Sequence, residues 1–392
     1  MRALYPVIAG SGVAVYTARL IAGLAPLGCE GKSLSFSPSW EYFPWGLKSA
    51  LKRANSSIED CALVHVNADY GCYFSLPNKP LVATLHHSSI DAPYLSTRSL
   101  PVRWHHRLVL KPSVEKTLRQ AGALVAVSRH TRETVCGVFQ ADLPIEVIPN
   151  GIDTTRFRPI GVELLEPEAP CVAADSPCEE ERRLLQIIPG VDEVVPMENT
   201  KAKDAHDLGH GRSMVPRSDR GPIVLFFSGN ASRRKGADLF VPVMKQLGRD
   251  FELRATGGLG RAATSFFNAP NIRYLGRLTE DELVQQINEA DIALQPSRRE
   301  GFGLSILEAM ACGKPVVSSN ISAIPEVLEH EKGGYLCEAG SVSQLVEAIR
   351  RLAGSPSLRR QMGQFNRRVV QEKFTLDRMA HAYSRLYRSL TA

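Results

Sequence analysis

Two glutamates, Glu300 and Glu308, lie at the start of a predicted helix and could bind a ligand rich in hydroxyl groups. Residues 291–295 form a short apolar run that predicts a strand, and the glycines that follow predict a turn. From Leu304 onwards, apolar residues recur at helical spacing. Backbone amides at a helix start bind anions, and carboxylates accept hydrogen bonds from hydroxyls. This unit suits a ligand that carries phosphates and sugar hydroxyls, although an ordinary helix with a solvated Glu308 fits the same spacing.

Two adjacent histidines, His86 and His87, directly follow the predicted strand 80–85. Ligands of open α/β sheets bind at the carboxyl ends of the strands, so these imidazoles lie where a ligand would bind. An imidazole there can form a hydrogen bond or transfer a proton near neutral pH. His65, by contrast, stands inside the predicted strand 62–66, which favours a core histidine with satisfied hydrogen bonds.

The amino-terminal residues predict a strand over 2–9, a glycine turn over 10–12 and a helix over 13–24. This order is typical of a Rossmann-like domain. The dinucleotide fingerprint requires a further glycine where Val15 stands, and the acidic Glu30 precedes the next apolar run instead of ending it. We therefore expect the glycines to allow the close approach of a different ligand.

Strand and helix patterns alternate in two separate parts of the chain. Residues 1–160 end near a strong Asn150-Gly151 turn signal and predict one α/β domain. Residues 161–220 are rich in Glu, Pro and Asp and then in Gly, Ser and Arg, which is typical of an insert or linker. The alternation restarts over 221–372, so the sequence predicts two Rossmann-like domains that face each other across a ligand-binding cleft.

The composition of the 392 residues is typical of a soluble globular protein with two domains. The hydrophobic fraction is 44%, the charged fraction is 22%, and the formal net charge of +6 is too mild to indicate nucleic-acid binding. The eight cysteines form no Cys-x-x-Cys pair, which argues against structural zinc and favours a reducing cytoplasm. The sequence shows neither a secretion signal nor the roughly 20 apolar residues of a membrane span.

A basic segment, residues 98–119, leaves two interpretations open. Its cations are Arg98, Arg103, Arg107, Lys111, Lys116 and Arg119, and Trp104, Leu108 and Leu110 are interleaved with them. In the simpler interpretation, the segment is a solvated helix face with Trp104 turned towards the core. In the alternative, it is an interfacial helix that contacts anionic lipid at the inner face of a membrane.

Several phrases, found together and in order, resemble those of the family 4 glycosyltransferases, which have the GT-B fold of two Rossmann-like domains. Glu300 and Glu308, with seven residues between them, match the family's paired-glutamate motif inside GFGLSILEAMACGKPVV. The other matching phrases are residues 148–153 with Phe157 and Pro159, residues 235–238, Pro325-Glu326-Val327, Gly334-Tyr335-Leu336 and a closing helix within 373–392 that returns to the first domain. The resemblance covers nearly the whole chain except 161–220.

The resemblance implies a role for each matching residue. Glu308 would hold the ribose hydroxyls, and Glu300 would hold hydroxyls of the transferred sugar. Lys235 and Arg234 would neutralise the leaving diphosphate without a metal ion, and His86 would lie at the cleft wall near the reacting carbon. The remaining donor-binding positions would be Gly12, Gly229, Phe302, Gly303, Leu304 and Ser305.

Three positions depart from the family pattern. Asn230 stands where the family often has its arginine, so Arg234, ahead of Arg233, is expected to substitute. Ser322-Ala323 replace a frequent Gly-Gly pair, which leaves the path of that loop open. His87 replaces a frequent aspartate, which leaves the details of acceptor binding open.

The resemblance implies a cytoplasmic, metal-independent retaining glycosyltransferase that uses a nucleotide-diphosphate sugar as donor and needs no cofactor. Its acceptor would be a glycan, a lipid-linked sugar or a small molecule. Two alternatives stay open, namely a nucleotide-sugar epimerase of the same fold and an inactive sugar-nucleotide sensor. The sequence leaves the sugar, the base, the acceptor, the role of residues 161–220 and the oligomeric state undefined.

Overall fold

The computed structural model describes residues 1–8, 12–41, 44–47, 49, 51, 60–87, 90–91, 95, 99–160, 221–258 and 263–392. The predicted insert or linker at 161–220 lies outside these ranges, and so does Arg98 of the basic segment. All the described residues belong to one unit of the chain, Met1–Ile160 together with Ser218–Ala392.

A six-stranded parallel sheet occupies the first half of the chain, in the order β2-β1-β3-β4-β5-β6. Its strands are β1 (Arg2–Ile8), β2 (Glu30–Phe36), β3 (Leu63–Asn67), β4 (Leu81–Leu85), β5 (Ala123–Ala126) and β6 (Ile145–Val147). The inner strands are apolar runs, and β4 is buried along its whole length, as expected of a parallel sheet covered on both faces.

A second six-stranded parallel sheet follows, in the order β12-β11-β10-β7-β8-β9. Its strands are β7 (Ile223–Ser228), β8 (Phe251–Thr256), β9 (Ile272–Tyr274), β10 (Ile292–Gln295), β11 (Val316–Ser319) and β12 (Gly334–Cys337). The prediction of an α/β protein with two parallel sheets is therefore confirmed.

Helices connect the parallel strands, since a parallel connection must cross over the face of the sheet. The described helices are α1 (Gly12–Leu24), α2 (Leu100–His105), α3 (Lys111–Gln120), α4 (Arg129–Phe139), α5 (Phe240–Leu247), α6 (Glu280–Glu289), α7 (Leu304–Ala311), α8 (Ile324–Val327), α9 (Val342–Ala353), α10 (Pro356–Lys373) and α11 (Leu376–Thr391). Two of these helices begin with side-chain caps. Ser128 accepts a hydrogen bond from the Thr131 amide at 3.0 Å, and Thr279 forms a capping box with Glu282 on α6.

The last helix, α11, packs on the first sheet although it follows the second sheet in the chain. Its buried Tyr387 hydroxyl lies 2.6 Å from Nδ1 of His65, whose Nε2 lies 2.7 Å from the Thr84 hydroxyl. One turn earlier, the buried Tyr383 hydroxyl accepts a hydrogen bond from Tyr16 at 2.6 Å. His65 is thus the satisfied core histidine that its pattern predicts, and it helps to fix α11 on the first sheet.

Gly151 marks the place where the segment before α11 crosses the end of the first half. A Cβ atom at Gly151 would lie 2.3 Å from the carbonyl oxygen of Thr375. On either side of this crossing, Ile152 donates a hydrogen bond to Phe374 and accepts one from Leu376, both at 2.9 Å. Neither Asn150 nor Gly151 lies in a turn, so the predicted turn is wrong, and glycine is required at 151 by a close backbone approach.

The basic segment forms α2, a π-helical turn at His106–Leu110 and α3. Its large exposed apolar side chains are Leu100, Trp104 and Leu108, with exposed fractions of 66%, 58% and 64%. Its buried apolar side chains are Leu110, Val114 and Leu118. The expectation that Trp104 turns towards the core is wrong, because these leucine and valine side chains already fill that side. None of the described helices is long and apolar enough to cross a bilayer.

Candidate functional site

The loop after β10 and the start of α7 form the centre of the site. Gly303 precedes α7 with φ of 99°, in the left-handed region that favours glycine, and its carbonyl accepts the first helical hydrogen bond from Ile306 at 2.9 Å. Leu304 begins the helix, and the Ser305 hydroxyl behind it is buried without a hydrogen-bond partner among the described residues. This hydroxyl and the amino-terminal end of α7 are therefore suited to an anionic or hydroxylated ligand.

Glu300 lies in this loop as the acidic half of a buried ion pair with Lys235. The Ser297 hydroxyl donates a second hydrogen bond to the same carboxylate oxygen, Oε1, at 2.8 Å. Burial alone would raise the pKa of Glu300, but the charges of Lys235 and Arg234 bring its pKa below the usual value. Glu300 is therefore ionised at neutral pH and can accept hydrogen bonds from hydroxyl groups.

Lys235 and Arg234 lie in a single 3₁₀ turn, Arg233–Lys235, which follows β7. A Cβ atom at Gly236, the next residue, would lie 2.0 Å from the Pro296 carbonyl oxygen, so glycine is required where this turn touches the Glu300 loop. Arg234 donates a hydrogen bond to the Arg299 carbonyl at 3.2 Å. Both basic residues therefore face the same loop.

Arg234 has the stronger electrostatic connection to the site. The charge of Arg234 lowers the pKa values of both Glu300 and His87, in addition to the effects of burial. The charge of Arg233 has no comparable effect on either group. The Arg233 backbone carbonyl instead accepts a hydrogen bond from Arg298 at 2.9 Å. The structure thus brings together Lys235, Arg234 and Glu300, as the choice of Arg234 over Arg233 requires.

His86 lies directly after β4, and its backbone carbonyl touches the Glu300 loop from the other half of the chain. A Cβ atom at Gly301 would lie 1.8 Å from this carbonyl oxygen. The His86 ring packs edge-on against Tyr16, with ring centroids 4.5 Å apart. Burial, with a smaller contribution from His87, lowers the pKa of His86 to about 3. The imidazole is therefore neutral near neutral pH and can form a hydrogen bond, and proton transfer by His86 stays a prediction.

Glu308 is buried on α7 and meets an arginine from the first half of the chain. Nη2 of Arg19, on α1, donates a hydrogen bond to Oε1 of Glu308 at 2.9 Å. The same nitrogen donates to Glu280 on α6 at 3.1 Å. Burial raises the pKa of Glu308 above its usual value, and the charge of Arg19 opposes that rise. Sequence reasoning missed Arg19, because no local pattern connects residues that are 289 positions apart.

Further contacts join the two halves beside the site. The Ser128 hydroxyl donates a hydrogen bond to the Gly301 carbonyl at 2.9 Å. The first amides of α4, those of Arg129 and His130, donate to the Glu326 carboxylate at 2.9 and 2.7 Å. A carboxylate at the start of a helix is favoured by the helix dipole. Glu326, at the start of the second half's α8, therefore caps a helix of the first half.

Three other positions expected to bind the donor, Gly229, Gly12 and Phe302, differ in their surroundings. Gly229 has φ of 145°, and a Cβ atom there would approach the Lys235 side chain at 3.7 Å. Gly12 begins α1 and has no atom within 4 Å of its Cβ position. Phe302 was expected in the donor site, but its side chain is buried in the core against Phe374, with ring centroids 5.8 Å apart. Its backbone alone can therefore face a ligand.

Comparisons with known proteins identify the family. Residues 31–156 match the family described as Glycosyltransferase Family 4, and residues 214–369 match Glycosyl transferases group 1. The chain belongs to the family 4 glycosyltransferases. The two matches fall on the two halves that carry the two sheets and leave most of residues 161–220 between them.

Two relatives show how far the sequence similarity of this chain extends. The N-acetyl-alpha-D-glucosaminyl L-malate synthase of Bacillus anthracis is 34% identical over 116 residues, which are 30% of this chain and 30% of that protein. The GDP-mannose-dependent alpha-(1-6)-phosphatidylinositol monomannoside mannosyltransferase of Mycolicibacterium smegmatis is 25% identical over 284 residues, which are 68% of this chain and 62% of that protein. The chain thus spans less than two thirds of either relative.

Solved structures confirm the GT-B fold of this chain. Sucrose-phosphate synthase from Thermosynechococcus elongatus superposes with a TM-score of 0.72 at 18% identity, over 100% of this chain and 99% of that one. Anabaena HepE, in complex with UDP and glucose, superposes with a TM-score of 0.68 at 17% identity, over 99% of this chain and 100% of that one.

Proposed function

We propose that this protein transfers a sugar, with retention of anomeric configuration and without a metal ion or cofactor, from a nucleotide-diphosphate sugar to a glycan or lipid-linked acceptor. The observation that carries the proposal is the buried pair Glu300–Lys235 in the loop before α7, with the buried Glu308 about one turn along that helix. Two acids and a lysine placed close together suit a ligand with hydroxyls at both ends and a diphosphate between them.

The charges of the pocket suit departure of a nucleoside diphosphate. As the bond from the sugar to the diphosphate breaks, negative charge develops on the leaving oxygens. Lys235, Arg234 and the amides at the start of α7 are fixed in place before the reaction, so they stabilise that charge without reorganising. The neutral imidazole of His86 lies on the opposite wall, where it can hydrogen-bond to the sugar.

The acceptor and the nucleotide are open within this proposal. The Mycolicibacterium relative is named for GDP-mannose and a phosphatidylinositol mannoside, whereas the Anabaena structure contains UDP and glucose. Thermal stabilisation by UDP, GDP and ADP identifies the base, since a ligand that binds the native state raises the melting temperature. Nuclear magnetic resonance of the anomeric proton of the product then tests retention.

Two glutamate variants test the division of the donor site. Glu308→Gln should weaken binding of both the intact donor and the free nucleoside diphosphate, because both contain ribose. Glu300→Gln should weaken only the intact donor and slow transfer. A hydrogen bond to a charged group contributes about 1.5–3 kcal/mol, so each affinity should fall roughly ten- to a hundredfold. Calorimetry with both ligands measures this, and an equal loss of nucleotide affinity in both variants would refute the assignment.

The same assays separate the alternative functions. A glycosyltransferase releases the nucleoside diphosphate only when an acceptor is present, whereas an epimerase converts the donor sugar without an acceptor. A sugar-nucleotide sensor would bind the donor and turn over nothing. The presence of the ionised Glu300 and its buried cationic partner favours turnover over sensing.

We also propose that α2 and the following turn attach the protein to the cytoplasmic face of an anionic membrane. Leu100, Trp104 and Leu108 recur every four residues and are exposed on one side of this helix. Arg103 and Arg107, both exposed, lie among them. Tryptophan is favoured at membrane interfaces, and each basic residue near an anionic surface contributes about 1 kcal/mol.

Co-sedimentation with vesicles of phosphatidylglycerol and phosphatidylcholine tests this attachment. Binding should fall as salt is added, and it should fall at all salt concentrations in the Trp104→Ser, Leu108→Ser double variant. Ile160→Ser provides the control, because Ile160 is an equally exposed apolar residue outside the segment. Absence of sedimentation, or a loss of vesicle binding in Ile160→Ser equal to that in the double variant, would contradict membrane attachment and favour a soluble acceptor.

A further inference from the structure

Arg19 connects the first half of the chain to the acid that is expected to bind ribose. Its side chain is 11% exposed, that of Glu308 is 9% exposed, and the two form an ion pair at 2.9 Å. Among the described residues, Arg19 is the hydrogen-bond partner of the Glu308 carboxylate, and the contact uses Oε1 alone. The second carboxylate oxygen is thus left to a ligand.

The position of the Arg19 guanidinium is itself fixed by its neighbours. It stacks on the buried Phe157 ring, with its central carbon 5.2 Å from the ring centroid. Glu280 accepts a hydrogen bond from it at 3.1 Å, and Arg156 forms an ion pair with the same Glu280. An arginine held in this way can in turn hold a carboxylate in one orientation.

A buried carboxylate without a cation takes up a proton, because burial disfavours its charged form. The charged or titratable groups that face Glu308 are Arg19 on α1, Glu280 on α6, Lys235 on the 3₁₀ turn and Cys312 after α7. Burial and Glu280 raise the pKa of Glu308, whereas Arg19 and Lys235 lower it. Arg19 is the one of these cations in direct contact, so its removal should raise the pKa of Glu308 further.

We propose that Arg19 is a positioning residue of the donor site, which keeps Glu308 ionised and oriented so that it accepts hydrogen bonds from the ribose hydroxyls. This inference rests on the proposed function, because it requires that Glu308 contacts ribose. It makes nucleotide binding by the second half of the chain depend on a side chain from the first half. The nucleotide pocket is therefore complete only when the two halves are together.

Nucleotide pairs that differ by one hydroxyl give the sharpest test. Affinities for UDP and 2′-deoxy-UDP, with GDP and 2′-deoxy-GDP in parallel, are measured by calorimetry from pH 6 to pH 8. The wild-type protein should prefer the ribonucleotide. In Arg19→Met, affinity for the preferred ribonucleotide should fall roughly tenfold or more, and the preference over the deoxy form should shrink. The loss should be greater at pH 6 than at pH 8, because a protonated Glu308 cannot accept both hydrogen bonds.

Two matched variants separate positioning from folding. Arg19→Lys keeps a cation on α1 and should restore most of the ribonucleotide preference. Arg156→Met removes the other partner of Glu280 but leaves the Arg19–Glu308 contact, and it should retain that preference. A loss of affinity in Arg19→Met that is equal for the ribonucleotide and the deoxyribonucleotide and independent of pH would overturn the inference. Such a loss would show that Arg19 only stabilises the fold. Tighter binding in Arg19→Met would also overturn it, since Arg19 would then block the site.

Glu308→Gln distinguishes failure of this inference from failure of the proposed function. If Glu308→Gln loses the ribonucleotide preference and Arg19→Met keeps it, the role of Arg19 alone is refuted. If Glu308→Gln binds all nucleotides as the wild-type protein does, Glu308 does not contact ribose, and the donor-site assignment fails together with the role of Arg19.

Discussion

Single residues of the site combine burial with charge, which is a poor arrangement for stability. Removing two charges from water costs several kcal/mol per ion, and the attraction within a buried pair often does no more than offset that cost. Glu300–Lys235 and Glu308–Arg19 are both such pairs. Two buried pairs around the start of α7 therefore favour the proposed polyhydroxylated, anionic ligand over a role in the free energy of unfolding.

The first prediction concerns Lys235. Lys235→Ala should lower kcat by about 10²–10³, because a charge that stabilises the leaving group acts mainly in the transition state. Arg234→Ala should also slow transfer. Arg233→Ala is the matched control and should change kcat little, since the contacts of Glu300 within the described part of the chain are with Lys235 and Ser297. Steady-state rates with saturating donor measure this. An unchanged kcat in Lys235→Ala, or a larger loss in Arg233→Ala than in Arg234→Ala, would contradict the placement of the diphosphate.

The sequence predicts the identities of these residues better than their partners. Glu300, Glu308 and Lys235 all stand in phrases that the family resemblance identifies, but no phrase connects Glu308 to Arg19. Ser322 shows the converse, because the family frequently has glycine there and Ser322 adopts a left-handed φ of 50°. Position 322 thus has a backbone conformation that favours glycine although the residue is serine. Partners and conformations of this kind depend on tertiary contacts.

Among the elements, the loop between β10 and α7 shows which parts of a local pattern are predictable. Its strand, its turn and its helix follow from apolar spacing and from the glycines at positions 301, 303 and 313. Gly303 and Gly313 have left-handed φ values of 99° and 68° that belong to the helix ends themselves. The requirement for Gly301 is different, because it comes from the His86 carbonyl of the first half. Local pattern alone could not reveal that requirement.

The second prediction uses this contact. Gly301→Ala places a Cβ atom where the His86 carbonyl lies, so the loop and the end of β4 must separate. Transfer should slow on the order of 10²-fold, as expected when reacting groups are displaced by about 1 Å. Affinity for the nucleoside diphosphate should fall less than the rate of transfer, because Lys235, Arg234 and the amides at the start of α7 lie in the second half.

A matched control uses the same chemical change without the clash. Gly137 lies in α4, where an added Cβ atom meets nothing within 4 Å. Gly137→Ala should therefore leave kcat unchanged and stabilise the protein by about 0.5–1 kcal/mol, because alanine loses less entropy in a helix. Equal rates in Gly301→Ala and Gly137→Ala would show that the His86 contact is not needed for transfer.

At the scale of the whole molecule, the order of the two α/β halves could be predicted from the alternation of strands and helices. Family resemblance predicted that α11 returns to the first sheet. It did not predict the contacts that hold α11 there. They are hydrogen bonds among hydroxyl and imidazole groups, including that between Tyr5 and Tyr387 at 3.0 Å. Sequence patterns predict burial of these side chains but not which of them pair.

The third prediction concerns acid stability. Burial lowers the pKa values of His65 and His86 to about 3 and that of His87 to about 4. The unfolded chain therefore binds more protons than the folded protein below its histidine pKa of about 6.5, so stability should fall as the pH decreases from 6.5. Each histidine contributes up to about 1.4 kcal/mol per pH unit, and Asp69, whose burial raises its pKa to about 7, partly opposes the change.

Urea unfolding at pH 7.5, 6.5 and 5.5 measures this dependence. His65→Gln should reduce the slope of unfolding free energy against pH by about one proton. His381→Gln is the control, because His381 is exposed on α11, and it should keep the wild-type slope. A slope that His65→Gln leaves unchanged would show that His65 does not resist protonation in the folded protein.

The position of α11 also has a consequence for the way the chain is made. Tyr387 leaves the ribosome 322 residues after His65, its hydrogen-bond partner. At roughly 5–20 residues per second, the interval lasts about 16–64 seconds. Throughout that time, one face of the first sheet, including Val82 and Val125, lacks the helix that covers it in the finished protein. The half that is translated first is therefore completed last, and a nascent chain must protect an apolar surface that the mature protein never shows.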